Sequence, residues 1–332
     1  MRRTRTVPLF DTVLDRRSCL RALTGLGALL TGAWFDAQRA KATPAGETGK
    51  AVEVAPGVFV LRGVHGVYAP ANHGDISNRG FIVGRDAVAV VDTGGTARLG
   101  AKQLATVRAI TDRPVRFVIN THMHPDHVLG NVAFRSQGVE FVGHAKLAAA
   151  LAARAERYLS YNRQAVGEEE FSGTEVVLPT RGIDVPTKLD LGDRTLLLSP
   201  QRTAHTDNDL TVLDESTGSL FVGDLVFSGH VPTLDGSIRG WIKLLEALSS
   251  AAEAQRIVPG HGPKSMSWQE AAPPMLRYLG AVASDVRAAI AAGRTMSATI
   301  TTAAQGERSQ WELFDEFHGR NVSAAFAELE WE

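Results

Sequence analysis

At 332 residues, 44% hydrophobic and 21% charged, the chain has the composition of an ordinary soluble globular protein, long enough for two domains or one large α/β fold. A formal net charge of -1, with no basic stripe along the chain, argues against a nucleic-acid partner.

The N-terminus differs from the rest. It is basic through Arg17, apolar and small from Leu20 to Phe35, and closes on Ala40-Lys41-Ala42, a small-x-small cleavage pattern. This layout predicts a signal peptide over residues 1–42, cleaved on export. Arg16-Arg17 followed by Ser18-Cys19-Leu20 resembles the twin-arginine export signal, with Cys19 where that pattern usually has Phe. The apolar run of about 16 residues falls short of the ~20 that a spanning helix needs. A periplasmic or otherwise exported protein, with no stable membrane span in its mature form, is therefore expected. The only cysteine, Cys19, leaves with the signal, so the mature chain has neither a disulfide nor a thiolate metal ligand. Loss of eight Lys/Arg and three Asp/Glu, from totals of 35 and 36, leaves a mature net charge of -6.

Residues 43–332 are expected to form a single domain. "VEVAPGVFVLRG" reads as two strands about Pro56-Gly57. Residues 63–80 read as a loop, punctuated by Gly, Pro, Asn and Asp. "FIVGRDAVAVVDTGG" reads as a hairpin turning at Gly84-Arg85-Asp86, and "TARLGAKQLATVRAIT" as a helix. "VRFVINTH" is a buried strand ending in polar residues, and "HAKLAAALAARAERYLSYNRQ" is helical. Residues 187–227 alternate strand and turn. A helix follows in "IRGWIKLLEALSSAAEAQ", then a short strand and turn in "RIVPGHG". Two helices, Trp268–Gly293 and Trp311–Leu329, complete the chain; residues 264–332 are a helical cap or the outer layer of the fold. Strand-rich segments fall in two sets, each followed by helix, which predicts two packed sheets with helices outside, a four-layer αββα sandwich.

The chemistry concentrates in "HMHPDH", residues 122–127. His122 and His124 are two apart at a strand end and can face one cation. Pro125 redirects the chain, so that Asp126 and His127 can face a second point nearby. Three more residues occupy strand ends or turns downstream: His205 in "TAHTDND", Asp224 in "LFVGDLVF" and His261 in "IVPGHGP". A bare carboxylate in an apolar strand such as that around Asp224 is costly without a cation. Seven ligands exceed one tetrahedral zinc and suit two metals. His122, His124 and His205 are assigned to the first, Asp126, His127 and His261 to the second, and Asp224 to both. Two ions about 3.5–4 Å apart share a bridging hydroxide that can attack a carbonyl, with Asp126 orienting it.

This ordered set resembles the metallo-β-lactamase superfamily of metal-dependent hydrolases. "NHGDISNRGFIVG", "AHTDNDLTV", "GDLVFSGHVPTLDGSIRGW" and "FHGRNVSAAFAELEWE" further resemble the quinoprotein relay system zinc metallohydrolases, exported proteins associated with pyrroloquinoline-quinone dehydrogenase systems. The resemblance implies an αββα fold, two zinc ions, and a small-molecule substrate processed beside a periplasmic quinoprotein dehydrogenase. The best-known lactamases use Cys on the second metal, and this mature chain has none. A carboxylate at Asp224 is instead the pattern of thioester- and lactone-cleaving relatives, and as a hard ligand it is compatible with iron or manganese as well as zinc. "AHTDND" departs from the "GHTPG" of glyoxalase II, and no basic cluster marks a glutathione site.

The leading expectation is an exported dinuclear hydrolase of a small ester, lactone or thioester. The alternatives are β-lactamase-type amide hydrolysis, a non-catalytic metalloprotein that assists maturation of the dehydrogenase, and oxygen or sulfur chemistry on iron. His73, Asn78 and His230 are candidates to line the substrate cleft. Trp241 reads as helix packing.

Overall fold

The computed structural model describes residues 49–332 except 137, 252 and 253. The expected signal peptide and Cys19 lie outside the described residues. No helix among the described residues is long and apolar enough to cross a membrane.

Strands β1 (Ala51–Ala55), β2 (Val58–Leu61), β3 (Arg79–Val83) and β4 (Val88–Val91) form an antiparallel run that begins the first sheet. Helix α1 (Ala97–Ile110) follows, capped by Thr96, whose side chain accepts from the Leu99 amide. It returns the chain to β5 (Val115–Ile119), parallel to β4. A single turn, α2 (Pro125–Val128), and a 3-10 segment lead to β6 (Glu140–His144). Helices α3 (Leu147–Val166) and α4 (Glu168–Phe171) precede β7 (Arg181–Ile183), and the seven strands lie in sequence order.

The second sheet has the order β12-β11-β10-β9-β8. Its strands are β8 (Thr187–Asp190), β9 (Thr195–Pro200), β10 (Leu210–Asp214), β11 (Ser219–Phe227) and β12 (Arg256–His261), with α5 (Ile238–Ser250) crossing from β11 to the parallel β12. Helices α6 (Trp268–Ala291), α7 (Met296–Ile300) and α8 (Phe314–Leu329) end the chain.

The layers follow from strand alternation. Ala89 and Val91 of β4 face inward with Val60, Ile82 and Ile119, where they meet Leu196, Leu198, Val212 and Phe221 of the second sheet. Val88 and Val90 face outward with Phe81 and Val118, against Val107 of α1. On the other side Leu220, Val222 and Ile257 pack against Trp241 of α5, Met275 and Tyr278 of α6 and Val322 of α8. The result is helix, sheet, sheet, helix, the expected αββα sandwich, and α6 and α8 join α5 in the helical layer on this side.

Two expectations are corrected. His144 closes β6 and does not open a helix; only five residues long and edged by glycine, "EFVGH" carried too little pattern beside the alanine-rich run that follows. The last helix starts at Phe314, because residues 305–310 form a 3-10 segment that ends at an extended Trp311, and Leu313, with a left-handed backbone (φ 57°), stands just before the helix.

Candidate metal centre

Both sheets deliver their chemistry to one edge. His122 and His124 follow β5, and Pro125 opens α2, which turns Asp126 and His127 back toward the same point. His205 precedes β10, Asp224 lies inside β11, and His261 is the last residue of β12. Gly223, with φ 53°, gives β11 the left-handed residue that precedes Asp224, where an L side chain would be strained.

Two groups result. His122, His124, His205 and Asp224 form one, and Asp126, His127 and His261 the other, each with ligand atoms within 4.8 Å of one another. Asp224 touches both: Oδ2 stands 3.5 Å from His205 Nε2, 3.7 Å from His122 Nε2 and 3.4 Å from His261 Nε2, and Oδ1 stands 3.1 Å from His127 Nε2. Asp126 Oδ2 lies 3.4 Å from His127 Nε2 and 3.3 Å from His261 Nε2. Atoms bound at 2.0–2.1 Å to a tetrahedral ion lie about 3.3 Å apart, so these separations fit metal ligation. His122 Nε2, His127 Nε2 and Asp224 Oδ1 are buried with no hydrogen-bond partner among the described residues. Orphaned polar atoms converging on one point are satisfied by a cation.

The outer nitrogens fix the tautomers. His205 Nδ1 donates to the Thr233 carbonyl at 2.7 Å, leaving the Nε2 lone pair for the site. His127 Nδ1 donates to Asp92 Oδ2 at 2.8 Å. Thr121 Oγ1 donates to the same oxygen at 2.7 Å and receives His122 Nδ1 at 3.0 Å. His124 is reversed: its Nε2 donates to Asp235 Oδ2 at 3.1 Å, and its Nδ1 faces His205 Nε2 at 2.9 Å.

Electrostatics separates the two groups. Burial, reinforced by neighbouring rings, holds His122 well below the ordinary imidazole value, and burial brings His205 down to about 3, so both offer lone pairs. Burial opposes ionisation of Asp224, but the rings of His261, His127 and His122 outweigh it and keep the carboxyl well below the usual range. His261 is held up to about 9, because Asp224 and Asp126 overcome its burial. Carboxylates that hold imidazoles protonated attract a divalent cation in the same place.

The centre opens into a cavity of about 480 Å³ lined by His124, Asp126, Asp224 and His261, and by residues of α3 and α8. His230 lines it, stacked on Phe317 at 5.2 Å between ring centroids. His73 and Asn78 do not, and the expectation for them is corrected. The His73 side chain is 65% exposed and pairs with Glu170 at 3.1 Å. Asn78 Nδ2 donates to the Pro259 carbonyl at 2.9 Å and to that of Pro263 at 3.1 Å, tying its loop to the strand end that carries His261. Trp241 is fully buried and donates from Nε1 to the Leu225 carbonyl at 3.0 Å, a packing role.

Sequence reasoning missed Asp92, Thr121 and Asp235. Asp92 carried the same signal as Asp224, an acid closing the apolar strand "VAVVD". Its φ of 54° is an uncommon conformation retained where it aims the carboxylate at His127.

Comparison with known proteins agrees with this geometry. A metallo-β-lactamase from Pontibacter korlensis superposes with a TM-score of 0.55 at 20% identity, covering 70% of this chain and 98% of that one. The FIM-1 metallo-β-lactamase of Pseudomonas aeruginosa, in a mono-zinc form, gives 0.52 at 19% identity, covering 70% and 94%. Both likenesses are of fold. A linear primary-alkylsulfatase from Pseudomonas sp. is 40% identical over 52 residues, 16% of this chain and only 10% of that protein's length. Residues 74–261, more than half of the chain and all seven candidate ligands, match the family described as the metallo-beta-lactamase superfamily. The chain belongs to that superfamily of hydrolases.

Proposed function

We propose that this is an exported hydrolase that holds two zinc ions and cleaves a small ester, lactone or thioester. The observation that supports this most is Asp224, whose carboxylate faces His205 of one group at 3.5 Å and His127 and His261 of the other at 3.1 and 3.4 Å. Such a carboxylate serves two cations at once. When bound, such a pair lowers the pKa of coordinated water toward neutrality and draws charge from a substrate oxygen. The protein's own residues do the rest. His122, His124 and His205 would hold one ion, and His127, His261 and Asp126 the other. Asp126 lines the cavity and accepts a hydrogen bond from the attacking water, which orients it.

Export rests on the basic-apolar-small order of the first 42 residues, and a link to a quinoprotein dehydrogenase on the four segments of resemblance. The test is a panel of esters, lactones, thioesters, β-lactams and a primary alkyl sulfate, offered to purified protein of measured metal content. Turnover by the two-metal protein and its loss in His122→Ala is the expected result. Full metal occupancy with no turnover of any class would turn the reading toward a non-catalytic metalloprotein that serves the dehydrogenase.

A further inference from the structure

We infer that Arg157, Asn162 and Arg320, where α3 and α8 line the cavity, form a carboxylate-binding subsite, so that the substrate is an anion with an apolar body. This rests on the hydrolase reading and narrows its substrate class.

Helix α3 carries Arg157, Tyr158, Tyr161 and Asn162 into the cavity lining, spaced to share one helical face. Helix α8 does the same with Phe317, Arg320 and Asn321, at i, i+3 and i+4. Neither Arg157 nor Arg320 has a carboxylate partner among the described residues. Arg157 lies over the ring of its neighbour Tyr158, 5.9 Å from the centroid. The acid that shares this cavity away from the metal groups, Asp235, is taken by His124 at 3.1 Å.

Asn162 supplies the second, independent observation. It is 1% exposed, and both its Nδ2 and its Oδ1 are buried with no hydrogen-bond partner among the described residues. A buried amide that leaves donor and acceptor unpaired is unfavourable until a ligand or water meets it. In a cavity lining that also carries two exposed arginines, the donor half of that amide suits an anionic oxygen. Planar guanidinium forks match a planar carboxylate in particular.

Part of the remaining lining is aromatic or aliphatic. Tyr68 and Phe317 line the interior, and Tyr161 and Val67 stand at the rim, 64% and 41% exposed. A molecule with its carboxylate at the arginines and its apolar body along these rings would present its scissile carbonyl to the ligand side of the cavity.

The test is calorimetric titration of the zinc-loaded full-length protein with 4-phenylbutyrate and, separately, with the neutral 4-phenylbutyramide. The acid should bind about tenfold tighter than the amide, the gain expected of charge-assisted hydrogen bonds. In Arg157→Gln/Arg320→Gln, with zinc content and melting temperature unchanged, that preference should fall to about twofold or less. Asn162→Ala should weaken both ligands. Retention of the full preference in the double variant would mean that the carboxylate binds zinc alone, and the subsite would be overturned; so would equal affinity for the two ligands, or no measurable binding of either. Binding is read without turnover, so the subsite can stand while the hydrolase reading fails. Conversely, ester cleavage that ignores substrate charge would remove the subsite and leave the hydrolase.

Discussion

Asp92 Oδ2 stands 2.8 Å from His127 Nδ1, and solvent reaches neither side chain to any extent, at 3% and 0% exposure. The same oxygen receives Thr121 Oγ1, so one carboxylate orients ligands of both groups, His127 directly and His122 through the hydroxyl. Asp92→Ala should weaken metal binding by about 10–100-fold, the usual effect of removing an orienting partner. Competition with a chromophoric chelator measures this, and unchanged affinity in a folded variant would contradict it.

Asp235 does the same for His124, but its side chain is 36% exposed. Water can replace it. Asp235→Asn should therefore lower metal affinity by less than about tenfold, at the bottom of the range for such partners. A loss equal to that of Asp92→Ala would show that burial is not what separates the two positions.

Gly260 tests the crowding behind the shared carboxylate. A Cβ there would collide with Asp224 Oδ1 and come within 2.8 Å of the Gly223 carbonyl carbon. Its φ is not in the left-handed range, so backbone strain plays no part. Gly260→Ala should cost about 1–3 kcal/mol of stability through overpacking, and bound metal should fall with it. Urea unfolding and elemental analysis of the same preparation check both.

Tyr278 joins the C-terminal helices to the cavity. Its hydroxyl donates to His318 Nδ1 at 3.0 Å and accepts from Asn321 Nδ2 at 2.8 Å, and Asn321 in turn accepts from the Leu234 amide at 2.9 Å. Tyr278→Phe leaves these buried groups short of a partner and should cost about 1–3 kcal/mol. A drop in melting temperature with metal content retained is the expected outcome.

The layers and the candidate ligands that the structure gathers were legible in the sequence for the same reason: both are local patterns. Alternation in "VAVV" assigns each residue to a sheet face, and a histidine pair two apart at a strand end states its own geometry. The partners of the ligands were not legible, because the contacts span the chain. Asp92 lies 35 positions from His127, and Asp235 lies 111 from His124. Only the register of β4 against β5 and the return of the chain after β11 bring them together. Asn78 misled because a polar residue in a glycine-rich loop looks the same whether it faces ligand or ties down a neighbouring strand. The cavity wall was invisible for a further reason: "RYLSYN" reads as an ordinary solvated helix until it is found to line one cavity with α8.

The origin of the ligands has a mechanical consequence. His122, His124, Asp126 and His127 hang from the first sheet, whereas His205, Asp224 and His261 hang from the second. Cations seated among them would therefore rivet the two halves of the sandwich along one edge. Stripping them should let that edge breathe, with faster amide deuteration at the ends of β5 and β12 while the opposite edge exchanges as before.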